Sequence, residues 1–173
     1  MKIFFIFMSV LYSSIALSAG DIGCRYLSKY NPELVERANC LTITNSSAEK
    51  WDALISKFVA LDASYNDMGL AHLYSSEGLF YFQMNGKIMR TMMYDNGPDF
   101  FSEGLVRTVR DDKYGFMDKH LNIKIERQYD FASPFSNGKA KVCVGCKKIS
   151  DGEHSWYEGG VSYFINKLGQ KID

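Results

Sequence analysis

The residues best suited to chemistry lie close together near the C-terminal end of the sequence. Cys143 and Cys146 are separated by two residues, and His154 follows a short distance later. Such a pair can form a structural disulfide, exchange disulfides, or bind zinc with His154 as a further ligand. A redox pair of the thioredoxin type begins a helix, but residues 139–142 alternate like a strand and Lys147-Lys148 looks like a loop. A structural disulfide is therefore favoured, and disulfide exchange and zinc binding stay open as alternatives.

The remaining histidines give little support to an enzyme. His72 falls on an alternating segment and His120 at a turn, so both are expected at the surface. A nucleophile needs a base and an orienting group, and no phosphate-binding glycine loop is present in the sequence. We therefore expect a non-catalytic protein without a cofactor, with a thiol–disulfide or metal-dependent activity at Cys143, Cys146 and His154 as the alternative.

The N-terminus has the order of a secretory signal peptide. Residues 1–19 contain one lysine, an apolar run over residues 3–11, and small residues up to Ala19. The apolar run is short for a membrane span, and no basic cluster follows it. These features predict cleavage near Ala19, a periplasmic or secreted protein, and no stable membrane span after signal removal.

All four cysteines lie beyond this signal, in a compartment that permits disulfides. Three connectivities are possible for four cysteines. Proximity in sequence favours pairing Cys24 with Cys40 and Cys143 with Cys146.

Composition limits the classes of partner. The 173 residues carry 20 Lys and Arg against 20 Asp and Glu, and 46% are hydrophobic. A balanced charge argues against a nucleic-acid partner, and the hydrophobic content argues against intrinsic disorder. The length fits one domain, and abundant aromatic residues favour strands.

Residues 20–60 predict a helical N-terminal cap. Asn31 and Pro32 would begin a short helix over residues 31–39, and a brief strand would follow over residues 41–44. Residues 46–49 form a capping box before an amphipathic helix from about Ser47 to Ala60. Its apolar face would consist of Trp51, Leu54, Ile55, Phe58 and Val59.

From residue 61 onward the sequence repeats itself. Gly69-Leu70 recurs as Gly104-Leu105 and Tyr94-Asp95 recurs as Tyr129-Asp130, both at an offset of 35. The segment Phe-Ser-x-Gly at residues 101–104 returns at residues 135–138. Residues 116–119 match residues 164–167 at a larger offset, which indicates an insertion over residues 145–160. Three copies result, at residues 61–93, 94–128 and 129–173.

Each copy has the alternation of a three-stranded antiparallel meander. In the middle copy, residues 105–110, 114–118 and 123–126 read as strands separated by turns. A unit of this size must bury its aromatic face against its neighbours. The expected fold is therefore mainly β, a curved sheet or solenoid-like stack of tandem repeats.

These motifs resemble the WG (KWG) repeat family of bacteria. The resemblance depends on the Tyr-Asp and Phe-Ser-x-Gly link at residues 129–138, the strand and turn at residues 114–119, and Asn166-Lys-Leu-Gly169. The signature Trp is replaced by Tyr114 in the second copy and Ser162 in the third. The family implies a β-rich repeat architecture and a general association with binding or scaffold roles; it implies no catalytic residue.

The expected function is binding of a protein or an envelope ligand. Insertions in repeat proteins often form a binding face, and the one here contains His154, Trp156 and Tyr157. An inhibitor or an immunity partner of an exported toxin is one form that such a role takes.

Overall fold

The structure is a computed structural model that describes residues 22–43 and 51–172. The predicted signal peptide at residues 1–19 and the capping box at residues 46–49 lie outside the described residues. Strands dominate, and the one helix within the described ranges has six residues. Among these residues, no helix has the length and hydrophobicity of a membrane span.

The predicted mainly β fold is confirmed. One sheet of nine antiparallel strands has the spatial order β11-β10-β9-β6-β5-β4-β1-β2-β3. Its strands are β1 (Ile22–Leu27), β2 (Leu34–Ile43), β3 (Ala53–Ile55), β4 (Ala71–Ser75), β5 (Gly78–Phe82), β6 (Ile88–Thr91), β9 (Leu105–Arg110), β10 (Lys113–Asp118) and β11 (Ile123–Tyr129). Helix α1 (Lys57–Asp62) follows β3, and a small hairpin of β7 (Met93–Tyr94) and β8 (Gly97–Pro98) lies between β6 and β9.

The C-terminal part forms two smaller sheets. Four strands pair in the order β12-β13-β16-β17, and β14 pairs only with β15. Their bounds are β12 (Phe131–Ala132), β13 (Lys139–Val144), β14 (Lys147–Ser150), β15 (Ser155–Glu158), β16 (Val161–Asn166) and β17 (Lys171–Ile172).

The helical N-terminal cap was a wrong prediction. Residues 34–43 form strand β2, because they pair along β1 and are tied to it by the Cys24–Cys40 disulfide. Of the predicted second helix, the described residues give strand β3 and the short helix α1. Two members of its expected apolar face are exposed, Leu54 at 58% and Phe58 at 57%. The apolar periodicity of residues 51–59 is too short to distinguish a helix from a strand when a neighbouring strand offers hydrogen bonds.

The N-terminal segment extends the sheet by strands β1, β2 and β3. The nine-stranded sheet curls until its edge approaches β6, where the Asp52 backbone N–H donates to the Ile88 carbonyl at 3.3 Å. Both faces of β5 are buried, as its apolar sequence predicts. Phe80 and Phe82 pack with Tyr26 and Leu73 inside the curl, and Tyr81 packs in a second core on the other side.

Asp52 joins this N-terminal segment to strands further along the chain. Its carboxylate accepts a hydrogen bond from the Arg90 backbone N–H at 2.6 Å and from Arg127 Nη2 at 2.6 Å, and forms an ion pair with Arg110. The Asp52 side chain is only 3% exposed. Strand β11 packs closely against β10 because Gly115 in β10 has no side chain. A Cβ there would lie 2.8 Å from the Arg127 backbone nitrogen.

Three successive meanders follow the N-terminal segment. They consist of β4-β5-β6, β9-β10-β11, and β13-β16-β17. The strands predicted in the middle copy are therefore confirmed. In the third meander, the hairpin β14-β15 interrupts the connection between β13 and β16.

The last turn of each meander has one hydrogen-bonding pattern. The first residue donates its N–H to the carbonyl of the fifth, from Gln83 to Lys87, from Asp118 to Asn122, and from Asn166 to Gln170. The fourth residue has a positive φ, with Gly86 at 89°, Leu121 at 57° and Gly169 at 77°. Side-chain oxygens of Asp118 and Asn166 accept hydrogen bonds from backbone N–H groups of their own turns.

Candidate functional site

The predicted insertion is a strand hairpin. Strands β13 and β16 pair from Lys139↔Asn166 to Val144↔Val161, and the chain then continues into β14 and β15. Lys147 and Lys148, expected in a loop, belong to β14. The hairpin pairing supplies the backbone hydrogen bonds that two lysines alone do not predict.

A narrow neck joins this hairpin to the third meander. Cys143 and Cys146, three residues apart on one side of the neck, form a disulfide with a Cα–Cα distance of 6.0 Å. On the other strand, Gly160 packs against the peptide backbone; a Cβ there would lie 2.5 Å from the Val144 carbonyl oxygen and 2.6 Å from the Cys146 nitrogen. Glycine is therefore required at this position, where φ is 62° and a side chain would collide with the facing strand.

Tyr157 anchors the hairpin to the second meander. Its ring centroid lies 5.0 Å from that of Phe131, and its hydroxyl lies 3.3 Å from the Tyr114 hydroxyl. Burial, the contact with Tyr114 and the charge of Asp112 raise the pKa of Tyr157 above its ordinary value.

Asp130 makes a second connection beside Tyr157. Its carboxylate forms an ion pair with Lys113 on β10 and accepts a hydrogen bond from the Gly145 backbone N–H at 2.5 Å. The hydrogen bond from Lys113 is the main cause that lowers the pKa of Asp130. The neck is thus held to the strand that carries the signature-Trp position, Tyr114.

A cleft of about 310 Å³ lies between the hairpin and the second meander. It is lined by carboxylate residues, tyrosines, a lysine and one cysteine of the disulfide. The residues that line it are Asp112, Tyr114, Asp130, Cys146, Lys148 and Tyr157.

The outer face of the hairpin points away from this cleft. Cross-strand pairs alternate between faces, so Ile149 and Trp156 lie together on the face opposite Tyr157. The Trp156 side chain is 41% exposed, and its Nε1 donates to Glu158 at 2.6 Å. The predicted binding residues Trp156 and Tyr157 therefore occupy opposite faces.

His154 lies at the tip of the hairpin. Its backbone N–H donates to the Asp151 carboxylate at 2.7 Å as part of the turn. The four-residue strands place it roughly 13 Å from the neck. Cys143 and Cys146 are bonded to each other, and the described residues contain no group of three or more possible metal ligands. The structure does not bring His154 and the cysteines together.

The other predicted site residues are distributed over the body. Cys24 and Cys40 form the first disulfide, with a Cα–Cα distance of 5.7 Å, so both predicted pairings are present. His120 is exposed, as predicted, but His72 is half-buried between the rings of Tyr74 and Tyr81. Burial lowers the pKa of His72.

Sequence reasoning missed the partners of the hairpin. Tyr114, Phe131 and Asp130 were assigned to the repeat pattern, with no role at the insertion. The Tyr-Asp link before Phe131 would have been the available signal, since it precedes the strand from which the insertion departs.

Residues 114–147 match the family model described as WG containing repeat. No match was found among the curated proteins or among the solved structures. The matched residues begin at Tyr114 in β10, include the Tyr-Asp and Phe-Ser-x-Gly link, and end at Lys147 beyond the neck. They thus contain strand β13, from which the hairpin departs, and residues 114–147 are similar to the WG containing repeat.

Proposed function

We propose that this chain is an exported, non-catalytic binding protein and that the outer face of the β14-β15 hairpin is its binding surface for a protein or envelope ligand. The observation that carries the proposal is the division of the hairpin into two faces. Tyr157 holds one face against the second meander, and the other presents Trp156 and Ile149.

The outer face has the composition of a small interaction surface. Tryptophan is among the residues that most often dominate binding free energy, particularly beside groups that exclude water. Lys147 and Glu158 form the cross-strand pair next to Ile149 and Trp156 on this face. An apolar centre with a charged border is the usual arrangement at interfaces.

The binding surface is supported by a body that we interpret as three tandem repeats, residues 61–93, 94–128 and 129–173. Each has a three-stranded meander and the same final turn. The two links are also alike: Ser102 and Ser136 begin two-residue turns in which Glu103, Gly104, Asn137 and Gly138 have positive φ. The second link donates its Gly138 N–H to the Glu103 carboxylate of the first at 3.1 Å, so consecutive units contact each other.

Export is the second part of the proposal. Disulfides persist in oxidising compartments, and the two pairs agree with a periplasmic or secreted location. We expect the mature protein to begin at Gly20. N-terminal sequencing of the protein from periplasm and medium tests this, and a full-length cytoplasmic product with Met1 would contradict it.

The binding role is tested by removing the hairpin alone. Residues 147–158 are replaced by an Asn-Gly turn, and the wild-type and shortened proteins are used to capture partners from envelope extract. We expect a partner captured by the wild type to be lost from the shortened protein, with the remaining sheet unchanged by circular dichroism. Equal capture by both folded proteins would overturn the assignment of the surface.

A further inference from the structure

We propose that the Cys143–Cys146 disulfide is a reducible bond that controls how the hairpin sits on the body, with a dithiol, either small or of a protein, as its reductant. The proposal builds on the binding surface proposed above and assigns a regulation to it. Reduction would release the hairpin while the repeat body stays folded.

The two disulfides differ in access. Cys24 and Cys40 are 5% and 0% exposed within the curled sheet, and both are buried although Cys24 borders a cleft of about 540 Å³. Cys143 is also buried, at 1%, but Cys146 is half-buried and lines the cleft. Attack is therefore directed to the Cys146 sulfur.

The cleft admits an approaching thiol. Lys148 lines it beside Cys146, and of its two carboxylates Asp130 is paired with Lys113, which leaves Lys148 and Asp112 as one charge of each sign. The cleft volume of about 310 Å³ has room for a small dithiol or for the reactive tip of a protein dithiol.

The exchange needs no other co-reactant. A thiolate of the dithiol bonds to the Cys146 sulfur, the Cys143–Cys146 bond breaks, and Cys143 leaves as a thiolate that takes up a proton. The second thiolate of the dithiol then attacks the first dithiol sulfur in the mixed disulfide, and Cys146 leaves as a thiolate that takes up the second proton. The protein gains two electrons and two protons, and the dithiol becomes a disulfide.

Reduction affects the hairpin because the bond lies in the neck. The disulfide encloses Gly145, whose N–H donates to the Asp130 carboxylate. The enclosed backbone also packs against Gly160 on the other strand of the neck. Without the bond, Cys146 is free to rotate, and the contacts of Tyr157 with Tyr114 and Phe131 lose the covalent constraint on the neck beside them. The cysteines are three residues apart, so the bond closes a very short loop and its loss has little effect on the unfolded chain.

The test is graded reduction of the wild-type protein with dithiothreitol. Free thiols are trapped by iodoacetamide and located by peptide mass, and hydrogen exchange is followed in the same samples. We expect Cys143 and Cys146 to be labelled before Cys24 and Cys40, with at least tenfold faster exchange in residues 147–158 and unchanged exchange in β4, β5 and β6. Simultaneous labelling of all four cysteines, or reduction with unchanged hairpin exchange, would overturn the proposal.

A variant checks the coupling without a reductant. The double substitution Cys143→Ser and Cys146→Ser should give the fast hairpin exchange of the reduced wild type, and the further addition of dithiothreitol should leave it unchanged. Slow exchange in this folded variant would contradict the proposal. These readouts need no partner, so a failure of the redox control is distinct from a failure of the binding function, which the hairpin deletion tests.

Discussion

The Tyr157 hydroxyl lies 3.3 Å from the hydroxyl of Tyr114, the residue that replaces the signature Trp of the WG repeat. The repeat strand and the insertion thus meet at these two side chains. Strand β10 thus contacts the β14-β15 hairpin through Tyr114.

Removal of the Tyr157 ring should loosen the hairpin without unfolding the body. We expect Tyr157→Ala to lower the free energy of unfolding by about 2 kcal/mol, the usual effect of losing a partly buried aromatic contact. Tyr157→Phe keeps the ring contact with Phe131 and should cost less than about 1 kcal/mol. Urea unfolding measures both, and equal losses for the two variants would show that the hydroxyl, not the ring, is the anchor.

Asp52 should be one of the most sensitive positions of the body. In Asp52→Asn the guanidinium groups of Arg110 and Arg127 lose their shared counterion, and removal of one partner from a buried ion pair costs about 3 kcal/mol or more. The matched control is Asp67→Asn in an exposed loop, which should change stability by less than about 0.5 kcal/mol. Denaturant titration distinguishes them; similar stability of the two variants would show that Asp52 does not hold the N-terminal segment to the repeats.

At position 121 a glycine variant should be more stable than an alanine variant, the reverse of the ordinary order. The Leu121 side chain is 1% exposed, but its φ is 57°, a conformation that favours glycine. Loss of the side chain should cost about 2–4 kcal/mol in Leu121→Ala, and Leu121→Gly should be more stable than the alanine variant by about 1 kcal/mol. Thermal unfolding of both variants provides the comparison, and a less stable glycine variant would contradict the assigned backbone.

His72 should make stability depend on pH in the mildly acidic range. Burial lowers its folded pKa below the ordinary 6.5, so the unfolded chain binds the proton more readily. Its contribution is therefore present in full above pH 6.5 and is lost as the pH falls toward the folded pKa. The difference between wild type and His72→Gln, measured by urea unfolding at pH 7.5 and 5, should shrink at the lower pH.

The strands and turns of the middle meander could be predicted from sequence because local chemistry specifies them. Turns such as residues 118–122 depend on a side chain that bonds its own backbone, and period-two alternation marks the strands between them. The N-terminal segment lacked such signals. Strand β2 pairs with β1, and β1 pairs with β4. These long-range contacts override the weak helical pattern of residues 31–39.

The candidate site was predictable only in part. The insertion followed from the unequal repeat offsets, and the disulfide from the proximity of Cys143 and Cys146. The opposite directions of Trp156 and Tyr157 follow from strand geometry, which the loop interpretation did not include. The Asp52–Arg127 bond joins residues 75 positions apart, and no local pattern in one sequence indicates such a pair.

The central claim is that the outer face of the hairpin binds a partner. Partner capture by the Trp156→Ala variant, compared with a control variant on another surface, tests it most directly. Tyr30 is 79% exposed near the β1-β2 turn and provides a matched aromatic residue far from the hairpin in sequence. Quantitative capture from envelope extract should show at least one partner retained by wild type and Tyr30→Ala and reduced at least tenfold with Trp156→Ala. If the folded Trp156→Ala protein captures the same partners in the same amounts, the outer face of the hairpin is not the binding surface.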